Sequence, residues 1–150
     1  MGKTDAKRRG CFESLYRLAD STVLEGTTSN FFVVKNGRVL TTAVETGILP
    51  GITRALVIKL ASRIAPVEQR RLVADDLLGA DELFLTNASW HVLPVTSLLL
   101  RVRETLDDSR EMDGNGITLQ QTPVGEGSVG ALTADLRGSL LGLIDRETSA

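Results

Sequence analysis

The dipeptide Asn36-Gly37 stands between two short runs of β-formers, Asn30–Lys35 with Phe31, Phe32, Val33 and Val34, and Arg38–Thr42 with Val39 and Leu40. Asn and Gly both tolerate the positive φ that a type I′ turn requires, so this pattern is the strongest short-range signal for a β-hairpin. Residues Ile52–Ile64 then carry apolar side chains at 52, 56, 57, 60, 61 and 64, which is helical spacing. Lys59 and Arg63 lie towards the end where the helix dipole favours cations, and Pro66 stops the helix. A second long helix is expected over Val129–Ile144, from 129, 132, 136, 140, 143 and 144, although Gly130, Gly138 and Gly142 each cost about 1 kcal/mol against alanine. Strand-like pieces occur at Phe12–Ala19 and Thr22–Glu25 around an Asp20-Ser21 turn, at Val67–Leu72, at Glu82–Thr86, and at Val92–Leu100, where Pro94 marks an edge or a bend. Ala74–Leu78 reads as a short helix, and the charged stretch Arg101–Thr122, punctuated by Asp113-Gly-Asn-Gly116, as a variable loop or mobile hairpin. The predicted fold is α/β, or α+β: one domain over residues 1–150, a mixed, largely antiparallel sheet with packed helices.

With 150 residues the chain buries about 68–70% of its unfolded surface, enough for one core without metal or disulfide staples. Cys11 is the lone cysteine, no apolar run reaches the roughly 20 residues of a membrane span, and the polar start Met1–Gly10 has no apolar segment behind it. The expectation is a cytoplasmic protein that does not contact membrane. Lys7, Arg8 and Arg9 form a basic cluster, but in a chain of net charge −2 they read as a solvated, mobile terminus rather than a nucleic-acid contact. His91, the only histidine, has no Asp or Ser at a telling spacing and reads as a loop or partly buried residue, with Trp90 a packing residue. Glu126 and Asp113 lack the His and Cys company of a metal site, so no metal is assigned.

Two segments carry chemistry. Glu25-Gly-Thr-Thr-Ser-Asn30 opens on a carboxylate and continues in small hydroxyl residues, a composition suited to lie under a heterocyclic nitrogen. Gly51-Ile52-Thr53, after Gly47-Ile-Leu-Pro50, opens the first long helix and offers free backbone N–H groups to a phosphate.

Taken with Gly10-Cys-Phe-Glu13, Asp81-Glu-Leu-Phe-Leu-Thr86, Val92-Leu-Pro-Val95 and Val124-Gly-Glu-Gly127, these segments resemble, in order and over nearly the whole chain, the C-terminal domain of the fold-type IV (class IV) pyridoxal-phosphate enzymes. That group includes the branched-chain and D-amino acid aminotransferases and 4-amino-4-deoxychorismate lyase. The resemblance implies a pyridoxal-phosphate site in which Glu25 bonds the pyridine nitrogen and Leu49 packs on the ring. The N–H groups of Ile52 and Thr53 after Gly51, with the Thr53 hydroxyl, hold the phosphate. Thr28 and Ser29 line the floor, and Thr86, Asn87 and Ala88 reach the phosphate or the substrate. Asn87 and Ala88 replace the small hydroxyl or glycine residues of the aminotransferases and resemble the lyase branch, whereas Gly10–Glu13 and Glu25–Thr27 resemble the D-amino acid aminotransferases.

In this family the Schiff-base lysine lies about thirty residues before the glutamate. Glu25 has 24 residues before it, and Lys3 and Lys7 fall in a segment that resembles the helix after that lysine. The expectation is therefore a truncated domain with no catalytic lysine of its own and no N-terminal domain, binding the cofactor weakly and non-covalently and lacking normal turnover alone. Two alternatives stand beside it: half of an aminotransferase or lyase completed by a separate N-terminal-type chain, and a non-enzymatic self-associating module. The face that the missing domain would cover, with Leu49, Trp90 and Leu93, is expected to be hidden in a homo-oligomer, most simply a dimer; a monomer would instead imply that the 101–122 loop or an unlinked partner covers it.

Overall fold

The computed structural model describes residues 2–103 and 117–149. Its hairpin joins β3 (Asn30–Lys35) to β4 (Arg38–Thr42), with Val34 opposite Val39 and Lys35 opposite Arg38. Asn36 and Gly37 take φ of 51° and 70°, the doubly positive turn that the Asn-Gly pair predicts. Three further strands complete a five-stranded sheet: β5 (Val67–Arg70), β7 (Glu82–Asn87) and β8 (His91–Val95), in the order β5-β4-β3-β7-β8. Only β4 and β5 run parallel, and the helix α2 (Ile52–Ala61) supplies the crossover that a parallel pair needs. Pro94 sits on β8, the edge strand, where its missing N–H costs no ladder bond.

β3 occupies the middle of this sheet, which explains its unbroken Phe-Phe-Val-Val run: a strand covered on both faces gains from apolar residues at every position. Phe31 and Val33 pack with Leu83 and Leu85 of β7, with Val23 of β2 (Thr22–Gly26), Leu72 of β6 (Leu72–Val73), and Leu77 of α3 (Ala74–Leu78). Phe32 and Val34 face the other way, onto Val57 and Ala61 of α2 and Leu136 and Leu140 of α4 (Ala131–Thr148). Phe32 and Phe84 stack across the strands with centroids 4.8 Å apart and planes within 8°. A smaller sheet, in the order β1-β2-β6 with β1 at Leu15–Arg17, lies on the first of these faces.

Several boundaries differ from the sequence reading, each for a tertiary reason. α2 ends at Ala61 and buries Arg54, Val57 and Ala61, leaving Ile52 and Ile64 largely exposed. The expected strand Val67–Leu72 changes sheet at Arg71, so that β5 belongs to the large sheet and β6 to the small one. The extended run Val92–Leu100 divides at Thr96 into β8 and β9 (Ser97–Arg103), and β9 pairs with β10 (Ile117–Pro123), so strands occupy both ends of Arg101–Thr122. Asp113-Gly-Asn-Gly116 lies outside the described residues. The polar start is a helix, α1 (Gly2–Arg8), with Ala6 buried. The α4 N-terminus is capped from a distance by the Glu82 carboxylate, which accepts from the Leu132 and Thr133 amides at 3.1 and 2.7 Å.

Candidate functional site

β2 ends at Glu25-Gly26, and a three-residue loop returns the chain into β3 at Asn30. This places the Glu25 carboxylate beside the segment that enters α2. Its Oε2 accepts hydrogen bonds from Asn30 Nδ2 and from the Leu49 amide, both at 3.1 Å. Asn30 Nδ2 also donates to the Leu49 carbonyl at 2.8 Å. Gly51 is the N-cap of α2 and has no side chain to satisfy the first amides of the helix, so those of Ile52 and Thr53 point outward unpaired by helical geometry. A Cβ there would stand 2.3 Å from Asn30 Oδ1, so any larger residue would push the Asn30 side chain from its place.

Thr86 lies directly opposite Asn30 in the β3–β7 ladder and therefore shares its face of the sheet. It is 1% exposed, and its hydroxyl has no hydrogen-bond partner among the described residues. Buried hydroxyls are nearly always paired, so this one marks a place where a polar group is wanted. Beneath the first turn of α2 the buried Arg54 guanidinium donates to the Thr42 carbonyl and to Gln69 Oε1, each at 2.9 Å. Burial holds its pKa below the ordinary arginine value, with the charge of Glu45 acting the other way. The fixed carboxylate and the first amides of α2 thus flank Asn30, the buried Thr86 hydroxyl lies across the ladder from it, and the side chains of Leu49 and Ile52 are exposed nearby. A carboxylate held this way can accept from a protonated ring nitrogen, and amides at a helix start beside a hydroxyl can take an anion.

Of the residues singled out from sequence, Glu25, Leu49, Gly51 and Thr86 come together around Asn30, and Ile52 and Thr53 follow Gly51 as the first residues of α2. Thr28 and Ser29 do not turn to that floor: their hydroxyls donate to Glu13 Oε2 at 3.1 and 3.3 Å. The Thr27 hydroxyl and amide and the Ser14 amide bond the other oxygen of Glu13. Burial pushes the Glu13 carboxyl up, but these donors outweigh it and hold the pKa below the ordinary glutamate value. Asn87 stitches the β7–β8 turn together, accepting from the Ser89 and Trp90 amides and donating to the Thr28 carbonyl, with Ala88 exposed in that turn. His91, half-buried, takes a left-handed φ of 59° where β8 begins. Trp90 and Leu93 pack against the core rather than standing open, and Phe12 meets Trp90 edge-on at 5.8 Å. Glu13 and Asn30 are the residues to which sequence reasoning assigned no part. Both lay inside the motifs, and a polar residue opening an apolar strand was the available signal for Asn30.

Among the described residues no three His, Cys, Asp or Glu side chains stand together as a metal site, and no helix is long and apolar enough to cross a membrane.

Comparison with known proteins shows the family and the fold. The family model described as amino-transferase class IV matches residues 1–98. A D-alanine aminotransferase of Bacillus licheniformis is 34% identical over 150 residues, covering 99% of this chain and 45% of that protein. The crystal structure of the Escherichia coli branched-chain amino acid aminotransferase superposes with a TM-score of 0.72 at 30% identity, covering 93% of this chain and 40% of that one. The pyridoxal-phosphate (holo) form of the branched-chain aminotransferase from Thermobaculum terrenum gives a TM-score of 0.74 at 26% identity, over 95% and 40% of the two chains. The chain belongs to the class IV aminotransferase family, a pyridoxal-phosphate-dependent family of fold type IV. It spans less than half the length of these relatives.

Proposed function

We propose that this chain forms the cofactor-holding part of a class IV aminotransferase-like site. The observation that carries this reading is the meeting at Asn30 of the Glu25 carboxylate and the uncapped start of α2, with the orphan Thr86 hydroxyl opposite Asn30 in the ladder. The residues fit pyridoxal phosphate. Glu25 would accept from the ring nitrogen and keep it protonated, Leu49 would cover the ring, and the Ile52 and Thr53 amides with the Thr86 hydroxyl would bind the phosphate. When bound, the cofactor supplies an electron sink for a carbanion at the α-carbon of an amino-acid substrate. Thr28 and Asn87, tied through the Thr28 carbonyl, form the wall nearest that substrate. The Thr86-Asn87-Ala88 sequence leaves transamination and lyase chemistry both open to the assembled enzyme.

Binding by this chain alone is non-covalent in our reading. Lys35 closes β3 at the hairpin end away from Asn30, Lys59 lies near the far end of α2, and Lys7 is exposed on α1. A lysine on another segment or chain would be needed for normal turnover. The exposed apolar side chains of Phe12, Leu49 and Ile52 favour a cover for this face, and we propose that a second copy supplies it in a two-fold dimer. Incubation with pyridoxal phosphate, borohydride reduction and mass spectrometry tests the non-covalent part. No stoichiometric adduct is expected, and an adduct on Lys3 or Lys7 would overturn it.

A further inference from the structure

We infer that Asn30 is a positioning residue that fixes the separation between the carboxylate end and the anion end of the site, and thereby the length of heteroaromatic phosphate it accepts. This rests on the pyridoxal-phosphate reading above. Asn30 is 5% exposed and opens the central strand, locked by its ladder pairing to Thr86. Its amide nitrogen has two hydrogens, and both are spent, one on Glu25 Oε2 and one on the Leu49 carbonyl. Both partners only accept, so the amide can sit only with its nitrogen on that side and its oxygen towards Gly51.

The Leu49 amide returns to the same Glu25 oxygen and closes a three-residue ring of Glu25, Asn30 and Leu49. On the opposite side of the amide, Gly51 approaches so closely that a Cβ there would displace the Asn30 side chain. One rigid side chain therefore touches the carboxylate, the chain entering α2, and the helix start that carries the anion-binding amides. Loss of Asn30 frees Glu25 and the 49–51 segment to move independently, while the helix amides and the Thr86 hydroxyl remain. The consequence is selective: a ligand that must reach both ends loses affinity, and one that uses the anion end alone does not.

Two measurements on the full chain decide this. The first is amide hydrogen exchange with no ligand present. In Asn30→Ala, Leu49 should lose roughly tenfold or more of its protection, and Glu25→Ala, which removes the acceptor, should give the same loss, while Val33 and Val34 in β3 keep theirs. Full protection of Leu49 in Asn30→Ala would overturn the inference. Should that variant fail to fold, Asn30→Ser, which keeps a polar group but cannot span Glu25 and Leu49, takes its place. The second measurement compares pyridoxamine 5′-phosphate with inorganic phosphate by calorimetry. Asn30→Ala should weaken the former roughly tenfold and the latter less than about threefold, and should add less than about twofold in a Glu25→Gln background. Equal losses for both ligands, or full additivity with Glu25→Gln, would overturn it. Wild-type protein that binds phosphate and not pyridoxamine phosphate refutes the cofactor reading instead, and hydrogen exchange then decides the Asn30 link by itself.

Discussion

Replacing Glu13 with glutamine tests the electrostatic reading of the loop beneath the site. The Glu13 carboxylate receives donors from Ser14, Thr27, Thr28 and Ser29, three of them hydroxyls. A hydrogen bond to a charged group contributes about 1.5–3 kcal/mol, against about 0.5–1.5 kcal/mol for a neutral pair. Glutamine keeps one acceptor oxygen but turns an NH2 group towards the amide and hydroxyl donors on the other side. Because Glu13 is only half-buried, water screens part of the difference, and the net cost of Glu13→Gln at pH 7 should be about 1–2 kcal/mol. The folded pKa of Glu13 lies below its ordinary value, so its stabilisation is present above the unfolded pKa of about 4.3 and is lost as pH falls through the folded value. The gap between parent and variant should therefore close in acid. Asp76, whose bond from Arg70 also holds it below its ordinary value, titrates alike in both proteins and cancels. Urea unfolding followed by the fluorescence of the single tryptophan, Trp90, at pH 7 and near pH 3 measures both gaps. An equal gap at the two pH values would refute the charge-assisted account and leave only loop packing.

Phe84→Ala removes one half of the Phe32–Phe84 stack at a fully buried position and should cost about 3–5 kcal/mol in urea. A cost under about 1 kcal/mol would place that helix-facing layer outside the core. Thr86→Val deletes a buried hydroxyl that has no partner among the described residues, so stability should be unchanged or higher by up to about 1 kcal/mol, and a marked loss would show that the hydroxyl has a partner. Sedimentation equilibrium should find a dimer. A strict monomer at high micromolar concentration would refute the proposed covering of Phe12, Leu49 and Ile52 by a second copy.

The hairpin, the edge position of Pro94 and the start of α2 were legible because each depends on neighbours a few residues away. The buried face of α2 was not. A pattern that counts apolar residues assigns Ile52 and Ile64 to the core, but the face is set by Arg54, whose charge is tolerated because Thr42 and Gln69 accept from it. The break of Val67–Leu72 at Arg71 likewise depends on which sheet each half finds. In the candidate site, the residues themselves pointed to Glu25 and Gly51, while Thr86 came only through the family resemblance. The part of Glu13 rests mainly on hydroxyls 14 to 16 residues away and that of Asn30 on Leu49, 19 residues on, as well as on nearby Glu25, and the distant pairings are ones that spacing alone does not reveal.

The most direct test of the central claim is calorimetric titration of the purified chain and of Thr86→Val with pyridoxamine 5′-phosphate and with pyridoxamine, which lacks the phosphate. If the start of α2 and Thr86 form an anion cup opposite Glu25, the phosphorylated compound binds at least roughly tenfold more tightly, and Thr86→Val removes much of that preference while the fold stays intact. Equal affinity for the two compounds, or a preference untouched by Thr86→Val, would contradict the account.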